Sequence, residues 1–394
     1  MSNQKPHLST LAVHAGEERY LAERATQVPV FLSAAFGYET VEEWLETALG
    51  HQPGHIYSRN TNPTVAAFEE KVRQLEGAEA ATSFASGMAA ISNTLWTLLK
   101  PGDRVVSIKD TYGGTNKLFI EFLPRYQIEV ALCDTNDPAA VEAALQQGCR
   151  VLYLETPTNP TLKVVDIARL AAAAHKVGAV VVVDNTVGTP INQTPISLGA
   201  DIVVHSATKF LGGHADALGG VACGDDELIE QIYHYREING AVLDPMSAYL
   251  LLRGMKTLDL RIQRQNDSAL KIAQFLESQP AVEQVNYPGL ASSPYHTIAK
   301  AQMHGGYGGM LSFALKGGFE QVKKFLSMLQ YAHLAANLGA VETVAGPPAT
   351  TSHVEETPAE RAAMGIPEGL VRYSVGIESV TDLIDDLSQA LKQL

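Results

Sequence analysis

The sequence predicts an α/β protein, with a mainly parallel sheet in a large domain and a smaller α+β domain at the carboxyl end. Three observations carry this. The 394 residues exceed what one core normally fills, since single hydrophobic cores stop growing near roughly 300 residues. Between Ala80 and Gly224 short apolar runs alternate mostly with Ala-rich segments of helical period, the pattern of a sheet with helices on both faces. Beyond Gly240 that alternation gives way to longer helical stretches. The expected division is an arm over 1–60, a large domain over 61–255 and a small domain over 256–394.

Each element follows from its local pattern. Residues 1 to about 60 mix polar and small residues with Pro29, Gly37, Gly50, Pro53 and Gly54, so an arm with one short helix near Val41 to Ala48 is expected. Val65, Phe68, Val72 and Leu75 recur at helical spacing after Pro63, and Gly77 stops the run. Strands are predicted at Ala80–Phe84, Val105–Ser107, Ile128–Cys133, Val151–Leu154, Val180–Val183, Ile202–Val204 and Val221–Cys223, with helices at Val141 to Gln147 and Ile167 to Val177. Ser247 to Gln279 reads as helical, with Arg253, Arg261 and Arg264 on solvated or partner-facing turns. Met310–Ala314 and Leu370–Val375 are the predicted strands of the second domain, and Phe319 to Leu329 and Val380 to Leu391 its helices. The Pro- and Thr-rich stretch 346–369 reads as a surface excursion that can border a site.

Composition excludes several functions. A net charge of -14 disfavours nucleic acid and anionic membrane as partners and leaves a small molecule as the expected ligand. Met1 to Pro6 lacks the apolar core of a secretion signal, and no apolar run approaches the roughly 20 residues of a membrane span, so a cytoplasmic protein is expected. The three cysteines, Cys133, Cys149 and Cys223, have neither zinc nor disulfide spacing. No metal is expected at His205, His214 or His353, which also lack ligand spacing.

The chemistry concentrates around Lys209. Ser206 and Thr208, two hydroxyls suited to a dianionic phosphate, stand just before it, and Gly212 and Gly213 follow. An amine beside a phosphate cradle is the pattern of a covalent anchor for pyridoxal 5'-phosphate (PLP). About 25 residues upstream, the apolar run Val180–Val183 ends in Asp184, where a buried carboxylate holds the pyridine nitrogen protonated. Ser86, Gly87 and Met88 open a helix after a strand, giving free amides for the phosphate. Tyr112, before Gly113 and Gly114, has a ring that can stack on a planar cofactor. Asn159, in the run Glu155-Thr156-Pro157-Thr158-Asn159-Pro160, can donate to a ring oxygen. Arg372 in a strand can grip an α-carboxylate through two hydrogen bonds.

These stretches, in this order and together with Tyr57-Ser58-Arg59-Asn60-Thr61-Asn62-Pro63-Thr64 and Arg372-Tyr373-Ser374-Val375-Gly376, resemble the PLP-dependent enzymes of cysteine and methionine metabolism. That group includes cystathionine γ-synthase, cystathionine γ-lyase, methionine γ-lyase and O-acetylhomoserine sulfhydrylase. The resemblance runs from about Ser9 to the last helix. It implies a type I PLP-dependent transferase fold, with Lys209 bonded to the cofactor and Tyr112 stacked on the ring and assisting proton transfer. Asp184 would partner the pyridine nitrogen, with Thr186 beside it. Gly87, Met88, Ser206 and Thr208 would cradle the phosphate, and Asn159, Asn337 and Arg372 would face ring oxygen and substrate. It further implies a homodimer or homotetramer in which Tyr57 and Arg59 reach the neighbouring subunit's phosphate.

The activity implied is γ-elimination or γ-replacement on a γ-substituted homoserine-type amino acid, with an atypical leaving group expected. Methionine γ-lyases tend to carry Cys where this chain has Gly114, and Gly113-Gly114-Thr115-Asn116 is more like the cystathionine enzymes. Cystathionine γ-lyases are expected to read Glu-Ser-Leu-Gly where this chain has Ala336-Asn337-Leu338-Gly339, so a partner for cystathionine's distal ammonium is missing. Asn337 in that place resembles some O-acetylhomoserine sulfhydrylases, the alternative activity. A non-catalytic PLP-binding scaffold is the alternative of another class.

Overall fold

The computed structural model describes every residue except 1–5, 18–21, 352–353 and 355–356; His353 lies outside the described residues. Two sheets organise the chain. The first contains β1 (Ala80–Phe84), β2 (Arg104–Ile108), β3 (Glu129–Cys133), β4 (Val151–Glu155), β5 (Val180–Asp184), β6 (Ile202–Ser206) and β7 (Gly220–Gly224), in the order β1-β7-β6-β5-β4-β2-β3. Strands β3, β2, β4, β5 and β6 are parallel, and β7 runs antiparallel to both β6 and β1. The central strands are buried on both faces, which is why β4 and β5 read as unbroken apolar runs.

The second sheet holds β8 (Val282–Asn286), β9 (Met310–Leu315), β10 (His333–Leu334), β11 (Val344–Gly346) and β12 (Leu370–Ser374), in the order β10-β11-β12-β9-β8. Its own apolar core joins Leu311, Phe313, Val371 and Tyr373 to Phe325, Leu383 and Leu387 from the covering helices. Together the two sheets and their helices give the α/β, type I PLP-dependent transferase fold, with a mainly parallel sheet followed by a mixed one.

The helical stretches expected from Ser247 to Gln279 are two helices, Pro245–Met255 and Leu258–Glu277, and one expectation within them needs correction. Gly254 abuts Gly212 so closely that a Cβ there would lie 2.0 Å from the Gly212 carbonyl oxygen, and the chain turns after that contact. Arg261 is not on a solvated turn: it is 3% exposed. Its guanidinium donates to the carbonyls of Phe210 at 2.8 Å, Leu211 at 3.1 Å and Gly254 at 3.0 Å. A cation that bonds three buried carbonyls, two of them (Phe210 and Leu211) without another donor among the described residues, is stable inside a protein, and burial holds it down to about 10.

The arm carries the expected helix at Val41–Ala48 and one more at Leu8–His14. The latter is fastened by Lys71, whose fully buried amine donates to Ala12 O at 2.9 Å and Glu17 Oε1 at 2.8 Å. Among the described residues no helix is long and apolar enough to cross a membrane, and no group of three or more His, Cys, Asp or Glu is placed to hold a metal.

Candidate active site

Parallel strands present their carboxyl ends together, and ligands collect there at the point where the strand order reverses. In this sheet the reversal falls between β2 and β4, because the chain runs outward from β2 to β3 and then returns to β4. The loop after β2 brings Tyr112 to the end of β4, and its backbone N–H donates to Glu155 Oε2 at 2.6 Å. A cavity of about 280 Å³ opens at this place.

Twelve sequence-predicted residues line it: Ser86, Gly87, Met88, Tyr112, Asn159, Asp184, Thr186, Ser206, Thr208, Lys209, Asn337 and Arg372. Tyr57 and Arg59 do not. Both are exposed, with the Arg59 guanidinium 5.2 Å from the Tyr57 ring centre.

One wall carries the groups that could hold a phosphate. The helix Gly87–Leu98 starts at Ser86, whose hydroxyl accepts from the Ala89 N–H at 3.1 Å. The first N–H groups of that helix have no acceptor within it and face the cavity end with the positive pole of the helix. Gly87 is required by space: a Cβ there would lie 2.6 Å from Ser206 Cβ. Thr208 Oγ1 accepts from Gly219 N at 3.1 Å, which fixes the loop carrying the hydroxyls.

The opposite end holds buried acid groups. Asp184, 7% exposed, accepts from Thr186 N at 2.9 Å and from the Tyr153 hydroxyl at 3.4 Å. Burial raises its carboxyl above the usual range, and the Thr186 hydrogen bonds oppose that rise. Thr186 Oγ1 accepts from Ser206 N at 2.8 Å, tying the ends of β5 and β6 together.

Lys209, Asn337, Arg372 and Asn159 form a chain of contacts. The Lys209 amine donates to Asn337 Oδ1 at 3.0 Å. Arg372 donates to the Asn337 carbonyl at 3.1 Å and to Asn159 Oδ1 at 3.3 Å. Burial, with the Arg372 charge adding to it, pushes the Lys209 amine down to about 8. Burial likewise lowers Arg372 to about 10, and it stays cationic at neutral pH.

Glu155, which the sequence places at a strand's carboxyl end without assigning it a chemical role, lines the same cavity. Its signal was the one that exposed Asp184, an apolar run ending in a carboxylate. A hydroxyl cradle at a helix start, a buried carboxylate and an amine of lowered basicity within one cavity define a PLP-dependent enzyme of fold type I.

Residues 9–392 match the family of Cys/Met metabolism PLP-dependent enzymes, and the chain belongs to it. It is 45% identical to an L-methionine γ-lyase of Pseudomonas putida, over 99% of this chain and 98% of that protein. It is 42% identical to a cystathionine γ-lyase of Bacillus subtilis, over 98% of this chain and 99% of that protein. The crystal structure of cystathionine γ-synthase from Xanthomonas oryzae pv. oryzae in complex with aminoacrylate and cysteine superposes with a TM-score of 0.94. Its sequence is 38% identical, and the match covers 99% of each chain. The chain is therefore an enzyme with PLP as cofactor, acting on amino acids in the manner of the γ-lyases and γ-synthases, and the scaffold reading falls away.

Proposed function

We propose that this enzyme carries out γ-elimination on an L-amino acid whose γ-substituent ends in an uncharged group, such as a thioether or an acyl ester. One observation carries the substrate class. Among the described residues lining the cavity, the acidic and basic ones are Glu155, Asp184, Lys209 and Arg372, and each has a task at the cofactor, at the residues that hold it or at the α-carboxylate. The remaining walls include Met88, Ile91, Val187, Leu218, Ala336 and Leu338. A distal ammonium and carboxylate would be desolvated there without partners, which is costly.

The cavity lining supports the residue roles. Gly87 and Met88 N–H groups, Ser206 and Thr208 would hold the phosphate; Asp184, kept in place by Thr186, would partner the pyridine nitrogen; Tyr112 would stack on the ring. PLP supplies an electron sink for the pair left when the α-proton departs. Arg372 holds the substrate α-carboxylate and gives up its bonds to Asn337 and Asn159 to do so, while Asn159 turns to the ring oxygen. Lys209 Nζ, with basicity suited to near-neutral pH, would take the α-proton, hand it on to the bound cofactor and, neutral again, take a β-proton. Tyr112 is 43% exposed, within reach of entering substrate, and assists by handing a proton to the departing γ-group. Asn337 orients the Lys209 amine between these transfers.

The arm over 1–60, the cofactor domain over 61–255 and the small domain over 256–394 act together in a homodimer or homotetramer, in which Tyr57 and Arg59 serve the neighbouring site. A second reading, O-acetylhomoserine sulfhydrylase-like replacement, is favoured by Asn337 beside Lys209. A product screen separates these. With methionine or an O-acylhomoserine alone, 2-oxobutyrate and ammonia are expected, at kcat/KM about tenfold or more above cystathionine. A preference for cystathionine would overturn the substrate class, and a product formed only with added sulfide would favour replacement.

A further inference from the structure

Strands β4 and β5 pair in parallel with Glu155 directly opposite Asp184. Residues level with each other on neighbouring strands point to the same face, about 4.8 Å apart at the backbone. Both side chains are buried, at 4% and 7% exposure, and both line the cavity. Two carboxylates so placed cannot both stay charged without a cation between them.

The surroundings decide which one keeps the proton. Donors favour the anion at both groups, but Asp184, which accepts from Thr186 N–H and the Tyr153 hydroxyl, would in the holoenzyme also face the protonated ring nitrogen, a cationic partner that Glu155 lacks. Glu155 accepts from Tyr112 N at 2.6 Å and, more weakly, from Asn159 N at 3.3 Å, and it has a further carboxylate near it, Asp110 after β2. Asp110 is itself neutralised by Lys163 at 2.8 Å. The cations lining the cavity, Lys209 after β6 and Arg372 on β12, are tied to Asn337 and Asn159. His205, on the far face of β6, bonds to Glu76 at 2.7 Å.

We propose that Glu155 is a positioning residue that stays protonated, so that the Glu155–Asp184 pair carries a single negative charge located on Asp184. The same side chain holds Tyr112 and Asn159, the residues at the ring face and ring oxygen, through their backbone N–H groups. Direct burial and the neighbouring Asp184 both push the Glu155 carboxyl well above the ordinary range, in agreement with the geometry. The consequence is functional. One charge beside the pyridine nitrogen keeps that nitrogen protonated, and a second would have to be desolvated with no partner.

This inference rests on the assignment of Asp184 to the cofactor and is independent of the substrate. Infrared spectra of the holoenzyme at pH near 8 test it. A protonated-carboxyl stretch is expected in the wild type, shifted when glutamate but not aspartate carries carbon-13, and absent from Glu155→Gln. Glu155→Gln, whose carbonyl oxygen keeps the short bond from Tyr112 N and gives up only the longer one from Asn159 N, is expected to lose less than about threefold in cofactor affinity, whereas Glu155→Ala, which abandons both N–H groups, loses about tenfold or more.

No carboxyl band in the labelled wild-type enzyme, a band that survives in Glu155→Gln, or equal losses in Gln and Ala variants would overturn the proposal. The isotope experiment needs no variant, so misfolding of either substitution leaves the test intact. Asp184→Asn examines the underlying assignment separately: unchanged cofactor affinity in that variant would remove the assignment while the origin of the band is still read from the labels.

Discussion

At the scale of single residues, reactivity here is a matter of burial and neighbours. Lys209 would be a fully protonated amine on the surface at neutral pH; in the cavity, burial first and the Arg372 charge second bring it to about 8. Only a neutral amine attacks an aldehyde, so PLP should attach to apoenzyme about tenfold more slowly for each pH unit below that value, and level off above it. Replacing Arg372 by Leu removes a positive charge that opposes protonation of Lys209. The Lys209 value then rises, and the attachment profile must move to higher pH. Stopped-flow absorbance during reconstitution reads this directly. A shift to lower pH, or none, would show that Arg372 does not act on the amine. The same variant should raise KM for the amino acid about a hundredfold, because two charge-assisted bonds to the carboxylate are lost.

At the scale of elements, the strands and most helices were legible because their periods are local. β5 announces itself as four valines and an aspartate, and Val380–Leu391 as an amphipathic repeat. What the sequence concealed depends on contacts far along the chain. Arg261 looks like any polar helix residue until Phe210 and Leu211 are folded against it; Glu155 looks like the end of a strand until Asp184 lies beside it. The short β10 and β11 have too few residues to show a period at all. Arg261 also joins two elements that function needs. It holds the carbonyls just after Lys209 to the end of helix Pro245–Met255. Arg261→Met keeps the apolar stem and leaves the buried carbonyls of Phe210 and Leu211 unpaired, at a cost of about 2 kcal/mol or more. Thermal unfolding of apoenzyme should therefore occur at lower temperature, and PLP affinity should fall with it. An unchanged melting temperature would show that water replaces the guanidinium without loss.

At the scale of the whole molecule, the cavity of one chain lacks Tyr57 and Arg59, the residues that the family resemblance assigns to a neighbouring subunit's site. Both residues project from the arm, exposed and outside the cavity of their own chain. The arm also exposes Leu32, Val41, Trp44, Leu45 and Leu49, more apolar surface than a free segment normally presents. A second copy that covers the arm would bury that surface and bring a guanidinium to the phosphate end of the neighbouring cavity, and in a two-fold assembly each copy does so for the other. Complementation distinguishes this from a contribution within one chain. Lys209→Ala and Arg59→Ala are each expected to be nearly inactive alone. In a mixed dimer, the Arg59→Ala chain keeps its lysine and receives Arg59 from the Lys209→Ala chain, so one site of two is intact. Random reassociation makes half of the dimers mixed, and activity should return to about one quarter of the wild-type level. If Arg59 acted on its own chain, every site in the mixture would lack either the amine or the guanidinium. Activity would then stay at the level of the parents however the chains were combined.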